Sequence, residues 1–143
     1  MEQVSLQDVI KAISDSQSLD IFRSIVKGNV ESEVLKHAKG LSKKQYYLRM
    51  RRLLKTGLVK RSRGVFTLTS LGAVVYEAQT VLETGINNYW KLKVIDSIQA
   101  SEQIAEQERL KIIKTILNDN TIQNILVSQS RASCKILGKN KLG

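Results

Sequence analysis

The stretch from Leu41 to Thr69 constrains this chain more than any other, because a helical period and a strand period meet in it without a gap. From Ser42 to Lys55 the apolar residues Tyr46, Met50, Leu53 and Leu54 recur at steps of four, three and one. At about 100° per residue they fall on one stripe of a helix. The opposite face carries Lys44, Leu48, Arg51, Arg52 and Lys55, with Gln45 and Tyr47 at its margins and no carboxylate. Ser42, followed three residues later by Gln45, is a capping-box start. Thr56-Gly57 is a stop, since glycine accepts the left-handed position after a helix without a Cβ penalty. Beyond it, Leu58 to Ser62 and Val65 to Thr69 alternate with period two around Arg63-Gly64. That pattern predicts a two-stranded ribbon with Leu58, Phe66 and Leu68 inward and Lys60, Arg61 and Arg63 near an exposed tip.

The charge of the chain is concentrated in the same place. The net charge is +10, yet eleven of the 23 Lys and Arg residues lie between Val34 and Tyr76, where there is no Asp or Glu. Outside that window twelve basic residues face thirteen acidic ones. A local excess of this kind predicts a surface for a polyanion rather than general solubility. A basic amphipathic helix followed by a basic-tipped hairpin is the layout of a winged helix-turn-helix. Such a helix fits a DNA major groove about 12 Å wide while the hairpin follows the backbone or the next minor groove. The expected DNA-binding residues are Ser42, Lys43, Lys44, Gln45, Tyr47, Leu48, Arg51, Arg52, Lys55, Lys60, Arg61 and Arg63. Arg51 and Gln45 are the candidates for base edges, and Arg52 and Lys55 for phosphates.

Before this stretch, Ser5 and Asp8 can cap a short helix with Leu6, Val9, Ile10 and Ile13 at helical spacing. Asp15-Ser16-Gln17-Ser18 offers several caps for a second helix bearing Leu19, Phe22, Ile25 and Val26 and ending at Gly28. A shorter segment, Glu31 to Lys39, would bury Val34, Leu35 and Ala38, with Gly40-Leu41 as the tight turn into the basic helix. After the hairpin, Thr69 or Ser70 can cap a long helix whose stripe is Leu71, Val74, Val75, Ala78, Val81, Leu82, Ile86 and Tyr89. Val94, Ile95 and Ile98 fall on the far side of that wheel, so the helix should end or kink near Leu92. Ser101 to Leu117 carries a broad apolar face of Ala105, Leu110, Ile112, Ile113, Ile116 and Leu117, and Asn118-Asp119 can cap a last short helix with Ile122, Ile125 and Leu126. The basic tail after Gln129 is expected to fray. Proline is absent and aromatic content is 5%, which favours long helices over a strand-rich sandwich.

The expected class is therefore mainly α with a small β-hairpin: a winged helix-turn-helix plus a helical dimerisation extension. Residues 1–69 would form the N-terminal helix and DNA-binding domain, 70–128 the dimerisation region and 129–143 a flexible basic tail. The apolar surface of the later helices exceeds what a compact three-helix unit can cover. A second copy of the chain is expected to cover it through Val74, Val81, Leu82, Ile86, Tyr89 and Trp90.

Catalysis finds no support. His37 is the single histidine, so neither a histidine-based triad nor a paired-histidine metal site can be assembled. The eight glycines form neither a dinucleotide fingerprint nor a phosphate loop. Cys134 is the single cysteine; it has no neighbouring Cys or His in the tail, and a redox or metal-sensing role is not expected. No cofactor and no metal is expected, and any small-molecule effector is unspecified. The start Met1-Glu2-Gln3 lacks the basic residues and apolar core of a signal peptide, and no apolar run reaches the length of a membrane span. A cytoplasmic, nucleoid-associated protein with no membrane partner is expected.

The runs Leu53-Leu54-Lys55-Thr56-Gly57-Leu58-Val59-Lys60-Arg61 and Phe66-Thr67-Leu68-Thr69-Ser70-Leu71-Gly72 resemble those of archaeal winged-helix transcriptional regulators, distant relatives of the MarR and ArsR groups. Tyr89-Trp90-Lys91-Leu92-Lys93 and Ile112-Ile113-Lys114-Thr115-Ile116-Leu117 look like the helical C-terminal extension that several such proteins carry. The resemblance covers roughly residues 18 to 126. It implies a homodimer that binds operator double-stranded DNA through the basic helix and regulates transcription. Two alternatives stand beside it: a winged-helix protein-interaction module in a larger nucleic-acid-associated assembly, and an RNA-binding protein. The hairpin lacks the aromatics that stack unpaired bases, which weighs against RNA.

Overall fold

The computed structural model describes residues 3–28, 30–31 and 40–139, the side chains of 30–31 and 131–139 excepted. Of the segment Glu31 to Lys39 expected to precede the basic helix, Glu31 belongs to a strand and residues 32–39, His37 among them, lie outside the described residues, as does the side chain of Cys134. The chain is mainly helical with a small antiparallel sheet. In order, it comprises α1 (Leu6–Ala12), α2 (Ser16–Lys27), β1 (Val30–Glu31), α3 (Lys43–Lys55), β2 (Val59–Ser62), β3 (Val65–Leu68), α4 (Ser70–Asn87), α5 (Tyr89–Gln99), α6 (Glu106–Ile116) and α7 (Asn120–Lys139). It divides into two compact units, Met1–Ala78 and Gln79–Gly143.

In the first unit, local chemistry sets the helix ends as the sequence predicts. Ser5 and Asp8 form a reciprocal capping box on α1, and Ser42 and Gln45 form another on α3. Asp15 caps α2 by accepting from the Ser18 backbone N–H at 2.9 Å. Helix α3 stops at Thr56, whose hydroxyl donates back to the Arg52 carbonyl at 2.8 Å, and the chain leaves through Gly57 at φ 73°. The inward stripe of α3 is Tyr46, Met50 and Leu53, all buried. Leu54, expected on that stripe, is 38% exposed. Its position, one residue past Leu53, carries it about 100° round the helix and onto the flank.

Strands β2 and β3 pair antiparallel with Val59 opposite Leu68 and Ser62 opposite Val65, so Arg63-Gly64 is a two-residue turn. Both turn residues have positive φ, 52° and 80°, as the tight hairpin turn requires. The sequence did not predict β1, which pairs with β3 and gives a three-stranded sheet of order β1-β3-β2. At two residues β1 is too short for any alternation to show. Ile21, Phe22, Ile25, Tyr46, Met50, Leu53, Leu58 and Phe66 form the centre of one core, closed by Ala12, Leu41 and Val59. At about 1.5 to 3 kcal/mol per large apolar side chain fully buried, this cluster is what fixes α3 against α2 and the sheet.

Thr69 ties the sheet to the next helix. Its backbone N–H donates to the Leu58 carbonyl at 3.1 Å, its hydroxyl donates to the Gly57 carbonyl, and the same oxygen accepts from the Gly72 N–H at 3.0 Å, capping α4. Val75 and Tyr76 then pack against the first core. The unit boundary consequently falls at 78/79, within α4, and not at the expected 69/70.

In the second unit, α4 ends at Asn87 and α5 begins at Tyr89, so the expected break comes a few residues before Leu92. Asn88 bridges the junction by donating its side-chain amide to the Thr84 carbonyl at 2.8 Å. Helix α6 begins at Glu106 instead of near Ser101. Asp119 caps α7 by accepting from the Ile122 N–H at 3.0 Å. The expected short last helix instead continues in its backbone to Lys139, through the segment read as a fraying tail. Ile95, Ile113, Leu117 and Ile122 form a second core, with Val81, Leu92 and Leu126 packed against it. The broad face of the 101–117 segment, which the sequence assigned to a partner, is therefore covered at Ile113 and Leu117 by the chain's own helices. Among the described residues no helix is long and apolar enough to cross a membrane.

Candidate nucleic-acid interface

Burying Tyr46, Met50 and Leu53 orients α3 and leaves its other face in solvent. Ser42, Lys43, Lys44, Gln45, Tyr47, Leu48, Arg51, Arg52 and Lys55 are all exposed on it. Lys60 and Arg61 on β2 and Arg63 in the turn are exposed as well. The whole predicted basic set thus belongs to one compact unit. The exposed length of α3, 13 residues, is about 20 Å at 1.5 Å per residue.

The side chains differ in how free they are. Gln45 accepts from the Ser42 N–H through Oε1 at 3.3 Å, so the cap engages its carbonyl oxygen and sets the orientation of its amide. Tyr47, 53% exposed, sets its ring edge-on to buried Tyr46 with centroids 5.6 Å apart. The Arg61 guanidinium lies 5.6 Å from the centroid of the Phe66 ring, opposite it in the register. Arg49 is the basic residue of α3 that the expected DNA-binding set leaves out. Its Nε donates to Asp15 Oδ1 at 3.1 Å and its Nη1 to the Gln45 carbonyl at 3.2 Å, so it serves the fold.

Two carboxylates border this surface without neutralising it. Asp15 is pushed up by partial burial, but the Ser18 hydroxyl and N–H together with Arg49 outweigh that and hold it at about 2. Asp8 is held below the usual carboxylate range by its hydrogen bonds to Ser5, with Lys11 and Lys55 adding to the effect. Helix α1 thus brings a negative charge near the end of α3, which the helical wheel of α3 alone did not contain.

A cleft of about 510 Å³ opens between α3 and the hairpin, lined by Tyr46, Tyr47, Met50, Arg51 and Leu54 on one side and Arg61, Arg63, Gly64, Val65 and Phe66 on the other. Sequence reasoning placed the three arginines on a shared surface but had no means of finding the cleft, which depends on the distance between helix and hairpin.

The expected dimerisation residues are distributed differently. Val74, Leu82, Ile86, Tyr89 and Trp90 are exposed, Trp90 most of all at 78%. Val81 packs against the second core of its own chain. Tyr89 and Trp90 meet edge to face at 5.2 Å, and the Lys93 ammonium lies 5.5 Å from the Tyr89 ring centroid. Among the described residues no group of three or more His, Cys, Asp or Glu is placed to hold a metal ion. Compared with known proteins, the chain matches no family model, no curated protein and no solved structure.

Proposed function

We propose that the first unit is a winged helix-turn-helix that binds double-stranded DNA with sequence preference, and that the protein acts as a homodimeric transcriptional regulator of the archaeal MarR- and ArsR-like kind. The observation that carries this reading is the coincidence of charge and shape. The basic residues that make the chain cationic are exposed together on α3 and at the hairpin tip, while the opposite side of α3 is buried. A helix about 20 Å long with a cationic outer face suits a major groove about 12 Å wide. In this reading Arg51 reaches base edges, Arg52 and Lys55 meet phosphates, and Lys60, Arg61 and Arg63 follow the neighbouring backbone.

Arg63 adds a second line of support. At φ 52° it occupies a backbone conformation that favours Gly, Asn or Asp, and an arginine there is held at some cost to stability. A charge carried at the tip of the hairpin at such a cost is consistent with contact to a ligand.

The exposed apolar residues of α4 and α5 are assigned to self-association, which would set two α3 helices at half-sites about 34 Å apart. The test is a binding titration against salt with duplex DNA, single-stranded DNA and RNA of matched sequence. Duplex should bind best, with log K falling linearly in log salt. Equal or stronger binding to RNA, or no binding at low salt, refutes the reading.

A further inference from the structure

We infer that the cleft between α1 and the last turn of α3 seats a backbone phosphate of the bound duplex, so that Lys11 belongs to the DNA surface together with Arg52 and Lys55. The inference rests on the duplex-binding reading and extends it to a helix outside α3 and the hairpin. The cleft, about 450 Å³, lies within the first unit. Lys11 lines it from α1, and Arg52 and Lys55 line it from α3. All three are exposed, and none has a carboxylate partner within ion-pair distance among the described residues.

Asp8 is the carboxylate of the lining. It accepts from the Ser5 N–H at 3.1 Å and from the Ser5 hydroxyl at 2.6 Å, so it is held in the α1 cap while Lys11 and Lys55 act on it from nearby. Three cations against one carboxylate leave the cleft a formal charge of +2. That charge stands in water, where salt screens it within about 10 Å, and it is too weak to retain a free anion. A phosphate delivered by the duplex differs, because docking of α3 in the groove already brings the strand that Arg52 and Lys55 meet to the end of the helix. Capture by Lys11 on the facing wall then adds an ion contact without a second loss of translational freedom. Such a contact positions the duplex and reads no base.

The experiment measures duplex affinity against salt for the full chain and for variants that keep the wild-type amide spectrum. Lys11→Gln should weaken all duplex sequences alike and lower the slope of log K against log salt by about one, and Lys11→Arg should leave the slope at the wild-type value. Asp8→Asn keeps an oxygen for the cap and removes a charge that repels the phosphate, so it should tighten binding by at least about twofold. A purely structural role for α1 would make Lys11→Gln and Asp8→Asn both bind less well, and the opposite signs exclude it. Lys27→Gln, at an exposed lysine of α2 outside the cleft, is the control for net charge. An unchanged slope in Lys11→Gln, an equal loss in Lys27→Gln, or weaker binding by Asp8→Asn each overturns the seat while the duplex-binding reading stands. Inorganic phosphate at matched ionic strength should give no saturable amide shift at Lys11, and saturation would make this a free-anion site and overturn its assignment to the duplex. If the unmodified chain binds no duplex even at low salt, the DNA reading fails and the seat falls with it.

Discussion

Arg49 Nε donates to Asp15 Oδ1 at 3.1 Å, joining residues 34 positions apart in the chain. The same carboxylate caps α2 through Ser18, so one side chain holds the start of α2 and its junction with α3. Asp15 is held at about 2, below its ordinary value of 3.8. A carboxylate with a depressed pKa stabilises the fold above its unfolded pKa, and that contribution is lost as the pH falls through the folded pKa. The first unit should therefore lose stability between about pH 4 and pH 2. Asp15→Asn keeps a capping side chain but removes the charge. It should cost on the order of 0.5 to 1 kcal/mol near neutrality, a small figure because the Asp15 side chain is 38% exposed and screened. Thermal unfolding from pH 6 to pH 2 checks this. An acid slope identical in wild type and variant would remove Asp15 as its source.

Arg51 and Lys55 should separate specificity from affinity. Arg51→Ala should cost about 1 to 3 kcal/mol on a selected duplex and flatten the preference among sequences. Lys55→Ala should weaken all duplexes alike and reduce the salt slope by about one. Binding to a selected operator left unchanged by both substitutions would mean that α3 does not lie in the groove.

Arg63 should behave oppositely in folding and in binding. Replacing it with Asn, which accepts positive φ more readily, should stabilise the first unit by about 1 kcal/mol while weakening duplex binding and lowering the salt slope. Urea denaturation and a salt titration on the same variant decide it. A loss of stability would show that the arginine side chain holds the turn, and the functional account of its backbone would fall.

Gly72 is needed for space. A Cβ built there would lie 2.1 Å from the Leu58 carbonyl oxygen and 2.6 Å from Leu68 Cδ1. The carbonyl is backbone, held by Thr69, and cannot swing away. Gly72→Ala should therefore destabilise the first unit by about 1 to 3 kcal/mol. An unchanged urea midpoint would show that α4 is free to shift along the sheet.

What was legible in the sequence follows the range of the interactions. The capping pairs Ser5/Asp8 and Ser42/Gln45, the stop at Thr56-Gly57 and the turn at Arg63-Gly64 are all made within a few residues, and each stands where the pattern put it. The buried side of α3 was legible because helical period fixes which residues share a face. Contacts across long separations left no local trace. Arg49 falls outside the basic face of α3 in the sequence, but its partner Asp15 is found only when α2 is placed beside it, and β1 acquires its role only from pairing with β3. The apolar face of 101–117 was visible, but its cover was not, since a stripe looks the same whether its own chain or another buries it.

Leu82 and Ile86 bring that question to a measurement. With Ile113 and Leu117 covered by their own chain, the large apolar side chains left exposed among the described residues of the second unit are Leu82, Ile86, Tyr89, Trp90, Val94 and Ile125. Leu82 and Ile86 lie one helical turn apart on α4, 68% and 71% exposed. Burying such side chains is worth about 1.5 to 3 kcal/mol each, and an uncovered patch of this kind invites association. A second copy related by a two-fold axis would cover it. Val81 is the wrong position for a test because it supports the second core. The paired substitution Leu82→Glu with Ile86→Glu should convert a micromolar dimer to a monomer in sedimentation without unfolding the second unit. It should also lower operator affinity well beyond a control that places the same charges at exposed Gln103 and Gln107. If the unmodified protein sediments as a monomer at micromolar concentration and protects a single half-site, the exposed face has another role and the dimer is refuted.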